Sequence, residues 1–241
     1  MAPEKAKDAE KLAKATLKIA KQNRKKVSLV VCPPAVHLPL LQKSVKALVR
    51  GGQLAATNTD IAQTGSISSG MLKSYGAAYC IAGHSESRFA GVTNEMVRGQ
   101  VLNILSKGIS PILCVGEEKR DTQGWYLSSV KEQLESVLRS VPKSSSKKIV
   151  IAYEPVWAIG KNAEREATAV ECEEMVIFIR KVIADIFDEK TSMIPRILYG
   201  GSVDEKNAKT FLTDGKAQGL LVGRVSLDPK RFASLVEAIS K

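Results

Sequence analysis

The sequence predicts an α/β fold, a parallel (β/α)8 barrel with seven recognisable strands and the first strand missing. Short apolar segments rich in β-branched residues alternate with amphipathic helical segments, and the composition does not change along the chain. We therefore expect a single domain over residues 1–241. A doubly wound open sheet is the alternative, but the turn after the first predicted strand, CPPAVHLP, lacks the glycines of a dinucleotide-binding fingerprint.

The first half of the chain begins with a helix, predicted over residues 3–23 because Leu12, Leu17 and Ile19 recur at helical spacing among lysines. No strand is recognisable before it, although each helix of such a barrel follows a strand. Further strands are predicted at residues 27–32, 53–57, 79–82 and 112–115, and helices at 40–49, 71–76, 94–106 and 127–139. Gly51 and Gly52 are interpreted as the end of the helix at 40–49.

The second half begins with a linker, PKSSSKK, and a strand at residues 149–153 that is apolar enough to be buried on both faces. Pro155 ends this strand because proline has no amide proton and keeps the preceding residue extended. Strands at 196–199 and 219–222 follow, with helices at 166–187, 206–212 and 229–240.

The net charge of +11 raises the question of nucleic-acid binding. Lysine and arginine are interspersed with acidic residues, the longest basic cluster is Arg24-Lys25-Lys26, and aromatic residues make up only 5%, so we expect no nucleic-acid surface. A positive field favours encounter with a small anionic substrate instead. No apolar run approaches the roughly 20 residues of a membrane span, and no secretory signal is recognisable, which predicts a cytoplasmic protein.

The four cysteines predict neither a disulfide framework nor a metal site. They are widely separated, show no CxxC spacing and have no histidine cluster near them: Cys32, Cys80, Cys114 and Cys172. We expect them to be reduced and buried, and no cofactor is predicted.

Candidate chemistry lies where predicted strands end, because the working residues of a parallel barrel follow the C-terminal ends of its strands. His84 and Glu154 each follow a strand, and glycine turns follow two more, at Gly200-Gly201-Ser202 and at Gly223-Arg224. Each feature taken alone also fits a structural role. Together, turn amides that open onto helices form an anion site. A base, a hydrogen-bond donor and a phosphate seat suit proton abstraction beside the carbonyl of a phosphorylated substrate.

Five motifs occur along the chain in the order AGHSESR, CVGE, AYEPVWAIG, RILYGGSV and GLLVG. The same motifs occur in the same order in the triosephosphate isomerase family, which the chain resembles over nearly its whole length. The resemblance implies a TIM barrel and an isomerase of glycolysis and gluconeogenesis. Its reaction interconverts dihydroxyacetone phosphate and glyceraldehyde 3-phosphate through an enediolate, without a cofactor.

The resemblance also implies roles for particular residues. Glu154 is expected to be the catalytic base under a closing lid, and His84 the neutral electrophile that polarises the carbonyl, with Ser85 and Glu86 beside it. The remaining matches are expected to hold the phosphate or to support the glutamate: Gly160, Ser202 and Gly223 for the phosphate, Cys114 and Glu117 for the support.

The chain departs from the family at several places. The Asn-Trp-Lys motif of the family's first strand has no counterpart, so no residue is assigned as the catalytic lysine, and low activity is expected. The lid is shorter at Gly160-Lys161-Asn162, and Arg224 replaces a glycine. The alternative function is a catalytically impaired barrel scaffold, or a fragment that needs its missing strand supplied.

The loop by which family members dimerise is also altered. It is shorter than in the family between Asn58 and Met71, and its usual tip is replaced by TGSISSG. We therefore expect a monomer or an atypical association rather than the usual family dimer.

Overall fold

The computed structural model describes residues 3–56, 64–160 and 163–240. Its α/β fold is built on one sheet of six parallel strands, ordered in space as in the chain, which curls into a half-barrel. The strands are β1 (Val30–Val31), β2 (Val49–Gly52), β3 (Ala77–Ala82), β4 (Ser110–Val115), β5 (Val150–Tyr153) and β6 (Arg196–Tyr199). This architecture is consistent with a TIM barrel.

Ten α-helices connect and cover these strands in the described residues: α1 (Ala6–Asn23), α2 (Leu38–Ser44), α3 (Ser69–Ser74), α4 (Ser85–Phe89), α5 (Asn94–Ser106), α6 (Trp125–Leu138), α7 (Ala169–Ile186), α8 (Glu189–Ser192), α9 (Ala208–Thr213) and α10 (Pro229–Ser240). The bounds predicted for α5, β6 and α10 are confirmed. Within the described ranges, none of these helices is long and apolar enough to cross a membrane.

Apolar side chains are buried on both faces of the sheet, as expected for parallel strands. The main core lies between the sheet and the helices and includes Val101 of α5, Leu134 of α6 and Ile179 of α7. A smaller cluster of β3, β4 and β5 residues lies inside the curl: Ile81, Ile112, Cys114 and Ala152. Helix α1 packs on α2 through Ala13, Leu41 and their neighbours in a third cluster.

The prediction of a helix over 40–49 followed by a strand over 53–57 is wrong. Helix α2 ends at Ser44, and β2 occupies Val49–Gly52. The two glycines therefore lie in a strand rather than at a helix end. A Cβ atom on Gly51 would lie 2.5 Å from Cys32 Sγ and 2.9 Å from the Tyr79 carbonyl oxygen, so the glycine is needed for β2 to fit between its neighbours.

Two predicted strands are much shorter in the structure. The strand predicted at 219–222 is reduced to one bridge between Tyr199 and Leu220, and the one predicted at 27–32 is reduced to Val30–Val31. Among the residues that the structure describes, each pairs with a neighbour on one side only, and a strand with a single partner makes fewer ladder hydrogen bonds. The predicted linker before β5 contains a 3-10 helix, Lys143–Lys148.

A cavity of about 1420 Å³ separates β1 from residues 219–223 and opens at the C-terminal ends of the strands. It continues beneath α1 and α10, where Ala13 and Val236 line it. The sheet is therefore open at this position in the part of the chain that the structure describes. Six of the predicted site residues line this cavity: His84, Ser85, Glu154, Gly160, Ser202 and Gly223.

Candidate active site

Glu154 lies at the end of β5 and is only 2% exposed. Its backbone amide donates to the Val115 carbonyl oxygen at 2.8 Å, so it continues the pairing with β4 before Pro155 ends the strand. A Cβ atom on Gly116 would lie 1.8 Å from the Glu154 carbonyl oxygen, and one on Gly200 would lie 3.0 Å from Glu154 Cγ. Glycines on both neighbouring strands therefore leave the space that Glu154 occupies.

Both carboxylate oxygens of Glu154 have partners from the end of β3. The Ser85 amide donates to Oε2 at 2.9 Å, and His84 Nε2 lies 3.1 Å from Oε1. The Cys114 thiol is near enough to lower the pKa of this carboxyl group. The predicted base and the predicted electrophile are therefore in direct contact, although 69 residues separate Ser85 from Glu154 in the sequence.

The hydrogen bonds of His84 define its tautomer. The Glu86 amide donates to Nδ1 at 3.2 Å, an interaction that requires Nδ1 to carry no proton. Nε2–H is therefore the donor that faces Glu154. The side chain of His84 is 32% exposed and lines the cavity, so its donor is within reach of a molecule bound there.

The environment of Glu154 disfavours its charged form. Burial raises the pKa of the carboxyl group above its ordinary value of 4.5, and the electrostatic attraction of His84 and the hydrogen bond from the Ser85 amide oppose that rise. A carboxylate with a raised pKa is a stronger base than an exposed glutamate, as proton abstraction from carbon requires.

A pH profile tests this environment. We expect the acid limb of kcat/KM to lie above pH 4.5, because the predicted role of Glu154 as base needs its carboxyl group deprotonated and its pKa is raised. Ser85→Pro removes the amide donor that lowers this pKa, so it should move the limb to higher pH. Proline is tolerated here because Ser85 is the first residue of α4 and His84 before it is extended, at φ −53° and ψ 144°.

Ser85→Ala is the matched control, since it removes the hydroxyl group, a smaller influence on the pKa of Glu154, and keeps the amide. It should shift the acid limb less than the proline variant does. An acid limb that is unchanged in Ser85→Pro would contradict the assignment of this limb to Glu154.

The first of the two glycine turns lies beside Glu154. The Gly200 amide continues the sheet by donating a hydrogen bond to the Tyr153 carbonyl oxygen at 2.7 Å. Ser202 Oγ donates to the Ala158 carbonyl oxygen at 2.8 Å. The prediction that these turns open directly onto α-helices is wrong. Helix α9 begins only at Ala208, and Gly223 precedes a short 3-10 helix. The amides available to an anion are therefore those of the turns.

Glu117 forms hydrogen bonds with the segment around Glu154. Its Oε1 accepts hydrogen bonds from Tyr153 Oη at 2.9 Å and from Trp157 Nε1 at 2.7 Å, and its carbonyl oxygen accepts from the Val156 amide at 3.0 Å. It is 1% exposed, and burial raises its pKa. Glu117 thus binds residues on both sides of Glu154.

The structure groups most of the predicted site residues. Four of them are in mutual contact or adjacent at the end of β3, β4 and β5: His84, Ser85, Cys114 and Glu154. Gly160, Ser202 and Gly223 line the same cavity, as does Arg224. The Glu86 side chain is exposed, and its amide is what contacts His84. Lys161 and Asn162 of the predicted lid lie outside the described residues.

Sequence reasoning missed two supporting residues. The Gln133 side chain bonds both the amide and the carbonyl of Gly116, each at 2.9 Å, and Arg88 donates to the Gly83 carbonyl oxygen at 2.8 Å and to Asn94 Oδ1 at 2.6 Å. Arg88 lies within the AGHSESR motif, which is a signal that could have been used. Gln133 carries no such signal, because its role depends on how α6 packs against the end of β4.

The fold and the site together define a class of protein: a curled sheet of parallel strands covered by helices, with a buried carboxylate after β5 in contact with an imidazole after β3. The sequence profile described as Triosephosphate isomerase matches residues 1–239. The chain belongs to the triosephosphate isomerase family.

Three relatives named triosephosphate isomerase illustrate the similarity. The protein of Dictyoglomus thermophilum is 36% identical over 96% of this chain and 93% of its own. The protein of Aquifex aeolicus is 40% identical over 86% of this chain and 84% of its own, and that of Thermoanaerobacter sp. is 38% identical over 88% and 86%.

Proposed function

We propose that this chain interconverts dihydroxyacetone phosphate and glyceraldehyde 3-phosphate, with Glu154 as the base and His84 as the electrophile. The observation that carries the proposal is the contact of 3.1 Å between His84 Nε2 and Glu154 Oε1 at the mouth of a cavity lined by glycine turns. Family membership supports the reaction, which makes the protein an intramolecular aldose–ketose isomerase.

The proposed proton transfer uses both members of this pair. A substrate carbonyl oxygen takes the place of Glu154 as the acceptor for His84 Nε2–H, and this bond strengthens as negative charge develops on the oxygen. The Glu154 carboxylate then removes a proton from the hydroxyl-bearing carbon beside the carbonyl and returns it to the former carbonyl carbon. The hydroxyl proton moves through His84 to the former carbonyl oxygen, so that a new carbonyl and a new hydroxyl are formed. The Ser85 amide, which now bonds Oε2, orients the carboxylate.

The phosphate group is proposed to bind the backbone amides of the two glycine turns. Gly160, Ser202 and Gly223 line the cavity opposite His84, and the guanidinium of Arg224 adds a positive charge to the same wall. Backbone amides and a guanidinium suit a phosphate dianion, because both donate hydrogen bonds and the guanidinium also carries a positive charge.

We further propose that the cavity between β1 and residues 219–223 is the position of the family's first strand, which carries the Asn-Trp-Lys motif. No segment within residues 3–56, 64–160 and 163–240 fills it. Leu220 and β1 each pair on one side only, and apolar residues of α1 and α10 line the gap between them. An extended apolar peptide would satisfy both unpaired edges.

The experiment that tests the function is a coupled assay of glyceraldehyde 3-phosphate turnover by the protein alone and with a peptide carrying the family's first strand. We expect low turnover by the protein alone and higher turnover with the peptide. A peptide with methionine in place of its lysine separates filling of the cavity from supply of the charge, and should restore less activity.

Turnover that the peptide does not change would contradict the proposed strand position. Absence of turnover in every condition would contradict the isomerase proposal and favour the scaffold.

We also propose a single-domain, cytoplasmic protein that is monomeric or atypically associated. Sedimentation that shows a tight dimer at micromolar concentration would contradict the last point.

A further inference from the structure

We infer that Arg165 is a positioning residue for this active site, because its guanidinium holds the indole of Trp157 against Glu117 and so fixes the turn that follows the base. The turn is a 3-10 helix, Val156–Ala158, which begins two residues after Glu154. The kinetic consequence of this inference rests on the proposed function, whereas its structural consequence does not.

Arg165 contacts an aromatic ring and a carboxylate at once. Its Cζ lies 4.4 Å from the centroid of the Trp157 ring, and its two terminal nitrogens donate to Glu171, Nη1 to Oε2 at 3.0 Å and Nη2 to Oε1 at 2.5 Å. A planar guanidinium suits this arrangement, since it can stack on a ring while it binds a carboxylate with two parallel bonds. The guanidinium thus connects Trp157 to α7.

Glu171 is itself firmly held, so it is a rigid anchor for Arg165. It accepts a hydrogen bond from the Thr168 amide at 2.8 Å and completes the capping box of α7, and Arg120 Nε lies 3.5 Å from its Oε1. The bonds from Arg165 are the largest influence that lowers the pKa of Glu171 to about 2. The pair is therefore fully charged at neutral pH.

The opposite side of the indole completes a ring of contacts. Trp157 Nε1 donates to Glu117 Oε1 at 2.7 Å, and Arg120 Nη1 lies 3.8 Å from the same oxygen. Arg120 thus faces both Glu117 and Glu171, and the ring runs through Trp157, Glu117, Arg120, Glu171 and Arg165. Trp157 can move only if its bond to Glu117 breaks and its contact with Arg165 is lost.

The position of Trp157 affects the proposed phosphate site through its neighbours. The Ala158 carbonyl oxygen accepts from Ser202 Oγ at 2.8 Å, and the Trp157 carbonyl oxygen accepts from the Glu164 amide at 2.8 Å. A displaced indole would therefore release Ser202 from its present partner. We expect the loss to appear in substrate binding, since a contact made equally in the ground state and the transition state changes KM more than kcat.

The test is Arg165→Ala in a protein whose other tryptophan, the exposed Trp125, is replaced by Phe so that Trp157 is the sole reporter. We expect Trp157 emission to move to longer wavelength and to become more sensitive to acrylamide, because one face of the indole becomes wet. We expect KM to rise about five- to tenfold, the range of one cation–π contact and one exposed pair, with kcat changed less than twofold.

Three further variants complete the test. Arg165→Lys keeps the charge but cannot bind Glu171 with two parallel hydrogen bonds. Its Trp157 emission and its KM should therefore lie between those of the parent and of Arg165→Ala. Glu171→Gln keeps the capping box and should reproduce the emission shift. The emission shift of the double variant Glu171→Gln/Arg165→Ala should be smaller than the sum of the two single shifts. Arg139→Ala removes a similar exposed pair, with Glu135 at 2.7 Å on α6, and should leave emission and KM unchanged.

Emission and quenching that do not change in Arg165→Ala would overturn the inference, whatever the turnover. A shifted emission with unchanged KM would overturn the assignment of Arg165 to the active site. If the parent protein shows no turnover, the proposed function fails, and the emission result still decides whether Arg165 positions Trp157.

Discussion

Glu154→Gln is expected to lower kcat by about 10³-fold, within the range that a positioned general base contributes. Glutamine keeps the size of the side chain and an oxygen that can accept the Ser85 amide, but it cannot take a proton from carbon. KM should change little, because the turn amides and His84 remain. Coupled turnover of glyceraldehyde 3-phosphate measures both constants.

The same variant should not be less stable at neutral pH. Burial raises the pKa of Glu154 in the folded protein above 4.5, so ionisation of this group weakens folding as the pH rises from about 4.5 through the folded pKa. Glutamine avoids that cost above this range, so the free energy of unfolding in urea should be equal to or higher than that of the parent.

Glu132→Gln is the matched control for Glu154→Gln, because Glu132 is an exposed residue of α6. It should leave kcat and the free energy of unfolding unchanged. A Glu154→Gln protein that keeps more than a tenth of the parent kcat would show that another group is the base.

Gly116→Ala is expected to damage stability and activity together. The new Cβ atom would lie 1.8 Å from the Glu154 carbonyl oxygen and 2.6 Å from its carbonyl carbon, so backbone atoms must shift. Overpacking of this kind costs about 3 kcal/mol of the free energy of unfolding. Because the displaced residue is the base, we expect kcat/KM to fall about 100-fold as well.

Gly70→Ala is the control for this glycine. Gly70 lies in α3, and the nearest atom to its added Cβ would be Ser68 Oγ at 3.6 Å, an ordinary contact. Alanine should leave stability unchanged or raise it by up to about 1 kcal/mol, since glycine is costly inside a helix. Unfolding in urea that gives equal free energies for Gly116→Ala and the parent would refute the close approach of β4 and β5.

Local patterns predicted several elements well, and they failed where a neighbouring element decides the structure. The bounds of α5 and α10 followed from helical periodicity, and Gly108 just beyond α5 marked its end. Gly51 and Gly52 were misread because glycine usually ends a helix, whereas here they permit β2 to approach Cys32 and Tyr79. No local pattern reports that approach.

The sequence by itself determined which residue types follow the strands and therefore the candidates for the chemistry. The buried strand before Pro155 was enough to place Glu154 at a strand end, and the glycine turns indicated an anion site. These conclusions depend on residues close together in the chain, where backbone preferences and hydrophobic periodicity act directly.

Only the tertiary structure decided which groups Glu154 contacts and what supports them. Hydrogen bonds join residues at least 17 positions apart in the sequence: Ser85 and His84 to Glu154, Gln133 to Gly116, and Trp157 to Glu117. Their formation depends on the register of adjacent strands and on the packing of α6 and α7 against them. No local propensity encodes that register, so these contacts appear only when the sheet is assembled.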